Sequence, residues 1–117
     1  MTFSEQLNQA YSRLTAGVRK TKRDYEWRIA QLQALKRLLN ENEPAILEAL
    51  WKDLRKPAFE AHANEHGIVR MEIDEAIRHL RKWMKPKRVK TAIYNQPGRS
   101  LIYREPFGLT LILGAWN

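Results

Sequence analysis

The sequence predicts an α/β protein with a helical N-terminal part, and three observations carry that reading. Apolar residues recur at three- and four-residue steps between residues 2 and 84. Beyond that point Pro86, Pro97, Gly98, Pro106 and Gly108 break the chain into short segments. Finally, Leu109-Thr110-Leu111-Ile112-Leu113 is a nearly continuous apolar run. Such a run suits a strand buried on both faces, as in a parallel sheet covered by helices, whose neighbours arrive through crossovers of a dozen or more residues. Only four residues follow it. The run therefore predicts that the chain is a truncated piece of a larger α/β protein.

The helical elements follow in order. Phe3, Leu7, Tyr11, Leu14 and Val18 mark a first helix, with Thr2 and Glu5 spaced for a capping box at its start. Tyr25, Ile29, Leu32, Leu35, Leu38 and Leu39 mark a second, on a stretch rich in good helix formers. Asn40 to Pro44 reads as a break, because proline suits a helix N-terminus better than an interior. Ile46, Leu47, Leu50, Trp51 and Leu54 then predict a short third helix. After Pro57, a seam of Phe59, His62, His66, Val69, Ile73, Ala76, Leu80 and Trp83 predicts a long fourth helix. Gly67 lies inside it, at a cost of about 1 kcal/mol relative to Ala, and is a candidate for a local kink. Residues 101–105 read as a short extended segment and Pro106-Phe107-Gly108 as a bend.

Composition narrows the function classes. With 44% hydrophobic and 29% charged residues the 117-residue chain reads as folded rather than disordered. No apolar run approaches the roughly 20 residues that cross a bilayer, and the N-terminus lacks a basic stretch followed by an apolar one. A cytoplasmic protein without a transmembrane segment is expected. The absence of cysteine removes disulfides, thiolate metal ligands and thiol nucleophiles. The net charge of +8 is densest at Lys85-Pro86-Lys87-Arg88-Val89-Lys90, flanked by Arg81 and Lys82. Lacking interleaved aromatics for base stacking, this cluster reads as a solvated face, and no nucleic-acid partner is expected. A basic helical module that binds nucleic acid or a protein through residues 81–90 is the alternative.

Few constellations could carry chemistry. His62, Glu65 and His66 form H-x-x-E-H, a zinc-protease spacing, but both histidines fall on the apolar seam and no third ligand stands at a telling spacing. They read as structural, with no metal expected. Glu72, Asp74 and Glu75 read as a solvated face. Gly98, Gly108 and Gly114 are isolated, so no phosphate loop is present. The end of the chain is more suggestive. In open α/β sheets ligands bind beyond the carboxyl ends of strands, where Gly114-Ala115-Trp116-Asn117 would lie. Glycine permits close backbone approach, Trp supplies an apolar wall with one donor, and Asn offers uncharged amide donors. These ingredients suit binding, although a plain strand exit explains them as well.

The stretch Glu105-Pro106-Phe107-Gly108, the apolar run, then Gly114-Ala115-Trp116-Asn117 resembles the E-P-x-G, strand, G-x-W-N sequence of aldehyde dehydrogenases. Arg28-Ile29-Ala30-Gln31-Leu32-Gln33-Ala34-Leu35 and Asp53-Leu54-Arg55-Lys56-Pro57 look like the N-terminal helices of the class 3 branch, which includes fatty and aromatic aldehyde dehydrogenases. The resemblance implies a much longer enzyme with a Rossmann-like NAD or NADP domain, acting on small-molecule aldehydes and assembled as a homodimer. Residues 1–84 would be the helical part of the cofactor domain, 85–105 an extended segment for interdomain or dimer contacts, and 106–117 the first buried strand and the start of the active site. Asn117 matches the asparagine that helps hold the substrate oxygen. Leu113, Gly114, Ala115 and Trp116 match residues lining the nicotinamide side of the cofactor groove. The nucleophilic cysteine and general-base glutamate of the family match nothing in this sequence, so the chain is expected to be inactive by itself.

Overall fold

The structure, a computed structural model, describes residues 2–114. Helix α1 (Phe3–Lys20) starts on the capping box that the sequence encodes: the Glu5 N–H donates to Thr2 Oγ1 at 3.3 Å and the Thr2 N–H to Glu5 Oε2 at 2.7 Å. Its apolar stripe stays largely uncovered, with Phe3, Leu7, Tyr11 and Leu14 all exposed.

Helix α2 (Tyr25–Leu54) opens on Asp24, whose Oδ1 accepts from the Trp27 N–H at 3.0 Å. It then runs for 30 residues without the break expected at Asn40–Pro44. Interior proline leaves the carbonyl four residues earlier without its N–H and crowds it, at a cost of about 3 kcal/mol in an isolated helix. The carbonyl concerned is that of Asn40, and side chains meet the two carbonyls just before it. The Leu39 carbonyl lies 3.1 Å from His66 Nε2, and the Leu38 carbonyl accepts from Asn42 Nδ2 at 2.8 Å. The first contact comes from 27 residues away, on the opposing helical stretch; the second is local to α2.

Arg55, in the left-handed region at φ 54°, ends α2 and returns its N–H to the Trp51 carbonyl at 2.9 Å. Pro57 restarts the chain. Helix α3 (Ala58–Ala61), a π-helical turn (His62–His66) and α4 (Gly67–Trp83) then follow without interruption. The described residues thus contain three long helical stretches in place of the four predicted, because residues 46–54 continue α2. The irregularity predicted at Gly67 is real and has a definite form. The Gly67 N–H donates to the His62 carbonyl, five residues back. That wide turn brings the carbonyl so close that a Cβ on residue 67 would lie 2.7 Å from it. Glycine is what the turn admits.

The short connection at residues 55–57 folds α2 and α4 into an antiparallel pair. Pairings step in opposite directions along the two helices: the Arg81 guanidinium stacks 4.1 Å from the Tyr25 ring centre, Lys36 Nζ bonds Asp74 Oδ1 at 2.5 Å, and Glu43 Oε1 lies 2.6 Å from His62 Nδ1. Asp74 is therefore an interhelical ion-pair partner rather than part of a solvated face. Ala61, Ile73 and His66 form the buried centre of this pair. Phe59, predicted on the seam, is 86% exposed instead; it lies before the π turn, whose extra residue shifts the phase of the helical stripe.

Beyond Met84, β1 (Lys87–Val89) pairs antiparallel with β2 (Ser100–Ile102) in the register Lys87 with Ile102 and Val89 with Ser100. This is the one sheet among the described residues; it is antiparallel and lies within residues 85–105, read from the sequence as an extended segment. The run Leu109–Leu113 forms no strand. A strand exists by its ladder of hydrogen bonds, and none of the described residues forms a ladder with this run. Leu111, Ile112 and Leu113 are exposed as a result. Leu109, Thr110 and Leu111 instead lie along α1, bounding with Leu7, Tyr11 and Leu14 an apolar cavity of about 410 Å³.

The molecule is open. Its radius of gyration is 19.9 Å, against about 13 Å for a compact chain of this length. Its accessible surface of 10201 Å² exceeds the roughly 6,600 Å² of a compact monomer of this mass.

Candidate functional site

Two places hold chemistry-bearing residues. The first is the C-terminal stretch singled out by the sequence. Leu113 is 89% exposed, and nothing lies within 4 Å of where a Gly114 side chain would project. Ala115, Trp116 and Asn117 lie outside the described residues. Residues 109–113, predicted as the strand that aims them, are not paired into a strand.

The second place was discounted in the sequence. His66 is buried, as its seam position predicted, but His62 is half-exposed. Four residues apart on one helical face, the two imidazoles lie 5.4 Å apart, tilted by 33°. The missing third partner comes from α2. Glu43 Oε1 lies 2.6 Å from His62 Nδ1 and 3.6 Å from His66 Nδ1. The first distance is a hydrogen bond; the second is too long for one. Glu65, the acid within the H-x-x-E-H spacing, is not part of the group, because Lys56 Nζ engages it at 2.5 Å. Periodicity could not reveal Glu43, since its approach depends on how α2 and α4 align.

Other charged groups have ordinary partners. The hydrogen bond from Lys36 holds the Asp74 carboxyl below its usual range; partial burial opposes it, and the nearby Lys36, Arg70 and Arg78 charges add to the lowering. Glu75 bonds Arg78 and His79 along its own helix face. The basic stretch from Arg81 through Arg88 is exposed at the end of α4 and on β1, as a solvated face requires.

No protein-family model matches the chain. Curated relatives do. The chain is 40% identical over 116 residues to aldehyde dehydrogenase family 3 member B1 of Rattus norvegicus, covering 99% of this chain and 24% of that protein. It is 41% identical over 98 residues to an aldehyde dehydrogenase of Craterostigma plantagineum, covering 84% and 20%. The human family 3 member B1 is 45% identical over 95 residues, covering 81% and 20%. The sequence kinship is with the aldehyde dehydrogenases. More narrowly, the chain corresponds to an N-terminal stretch of the family 3 proteins. It spans about a quarter or less of the length of these relatives. No helix among the described residues is long and apolar enough to cross a membrane.

Proposed function

We propose that this chain supplies the N-terminal helical part and the first active-site residues of an NAD(P)-dependent aldehyde dehydrogenase that oxidises aldehydes to carboxylic acids. The ordered run from Glu105 to Asn117, within a chain 40% identical to a family 3 member over 116 residues, carries this reading. In it, residues 85–105 serve interdomain or homodimer contacts, and residues 109–113 become a buried strand once neighbouring strands are present. The uncovered apolar surface of α1 and of Leu111, Ile112 and Leu113 supports this, since contiguous exposed apolar surface marks an interface.

Asn117 then donates its side-chain amide to the substrate oxygen. When a nucleophile adds to an aldehyde, that oxygen gains negative charge, and a fixed neutral donor stabilises it more than the uncharged carbonyl. Leu113, Gly114, Ala115 and Trp116 wall the nicotinamide side of the NAD or NADP site, where the bound dinucleotide accepts hydride. The chain contains no cysteine. The attacking thiolate is therefore not among its residues, and the chain alone is inactive.

The test is made in the longer gene product. It should reduce NAD(P) in the presence of an aldehyde, and Asn117→Ala should lower kcat about 10²- to 10³-fold with little change in cofactor affinity. A folded Asn117→Ala protein with wild-type kcat per active site refutes the assignment of Asn117. A gene product that never oxidises aldehydes refutes the enzyme reading itself.

A further inference from the structure

We propose that Glu43, His62 and His66 form a binding site for a divalent transition metal, with zinc the ion that best suits the donor set. The three donor atoms, one carboxylate oxygen and two imidazole nitrogens, all lie within 4.8 Å of one another. Two nitrogens and one oxygen are a recurrent zinc donor set, with bonds of about 2.0–2.2 Å. Ligands at that bond length on a tetrahedral ion stand about 3.3 Å apart. The 3.6 Å between Glu43 and His66 is close to that, and the 2.6 Å between Glu43 and His62 must open slightly. His62 is half-exposed and can make that adjustment, while its solvent side leaves a fourth position for water.

The strongest indication is His66. Its side chain is fully buried, and its Nδ1 has no hydrogen-bond partner. Nε2 faces the Leu39 carbonyl at 3.1 Å, a contact in which the imidazole must be the donor. In the neutral ring that places the proton on Nε2 and leaves a lone pair on Nδ1, directed toward a carboxylate oxygen that also offers only lone pairs. Two acceptors facing each other in a buried place are unfavourable, and a cation between them removes the conflict. A histidine that donates its second nitrogen to a backbone carbonyl is also how metal-ligating imidazoles are oriented. The geometry is built by the fold: His62 and His66 share one helical face, and Glu43 stands beside Pro44 on the opposing helix. A bound ion would tie α2 to the π turn where proline weakens α2.

The site is tested on the chain without an affinity tag, dialysed against chelator and titrated with zinc chloride. Because the chain has no cysteine, thiolates do not compete. One zinc should bind per chain and raise the melting temperature, since an ion that binds only the folded state stabilises it. Cobalt should give the visible absorption of a four-coordinate nitrogen and oxygen site. His62→Ala, at a half-exposed position, should leave the metal-free fold unchanged and weaken zinc binding by about tenfold or more, and Glu43→Gln should also weaken it. His79→Ala, which alters the separate His79–Glu75 contact, should change neither. Absence of binding in excess zinc overturns the proposal. So does binding that survives His62→Ala and Glu43→Gln, or that is lost with His79→Ala.

Discussion

Replacing Gly67 with alanine tests whether the π turn is fixed by the fold. In an ordinary helix interior, Gly→Ala stabilises by about 1 kcal/mol, because alanine loses less backbone freedom on folding. At residue 67 the new Cβ would stand 2.7 Å from the His62 carbonyl oxygen, a backbone atom that cannot swing aside. Two routes relieve the contact. The backbone can strain locally, at the roughly 1–3 kcal/mol typical of overpacking. Alternatively the turn can return to regular α-helical bonding, which rotates everything after it by about 100°. That rotation takes Ile73 out of a site where it is only 4% exposed, losing roughly 1.5–3 kcal/mol of burial. Against a propensity gain of about 1 kcal/mol, the variant should end about 0–2 kcal/mol less stable than wild type. Gly17→Ala in α1 provides the control, since nothing lies within 4 Å of its added Cβ. It receives the same propensity gain without the clash, so the two variants should differ by about 1–3 kcal/mol. Urea unfolding followed by far-ultraviolet circular dichroism reads that difference as about 1 M or more between midpoints. If Gly67→Ala raises the midpoint as Gly17→Ala does, the argument that His62 needs glycine at residue 67 fails.

Ile73→Ala should destabilise the α2–α4 pair by about 2–3 kcal/mol, the lower part of the range for buried aliphatic truncation because the core is thin; a thermal melt within a degree of wild type would contradict its role. Lys36→Met removes the hydrogen bond that lowers the Asp74 carboxyl, whose ordinary value is 3.8. A carboxyl lowered on folding contributes stability above its unfolded value that is lost as pH falls through its folded one. Wild type should therefore exceed the variant in stability at neutral pH and converge with it in strong acid, and an Asp74 titration by NMR should move upward in Lys36→Met; an unchanged titration would remove Lys36 as the cause. The uncovered stripe of α1 and the run at residues 109–113 should make the chain self-associate, which sedimentation velocity over a concentration series would show. A monomer at all concentrations would argue against these surfaces as interfaces.

Local chemistry made much of the helical part legible in the sequence. Thr2 and Glu5 define a capping box within one turn, so it needs no distant residues. The apolar spacing of residues 25–39 and 69–83 locates the helices, and the motif from Glu105 to Asn117 is readable by its order alone. Arrangements that depend on distant partners are not legible in the same way. Pro44 reads as a helix break because propensity counts only the bond it removes, whereas His66, 27 residues away, lies against a neighbouring carbonyl. Leu109–Leu113 reads as a strand because its apolarity is local, but a strand needs a ladder, and no described segment pairs with it. The H-x-x-E-H spacing gives no sign of Glu43, which lies on α2, and only the antiparallel alignment of the two helical stretches brings it within 2.6 Å of His62. Capping and helix periodicity are short-range and so are written in the sequence; proline tolerance, strand formation and the Glu43–His62–His66 cluster are long-range, and only packing could decide them.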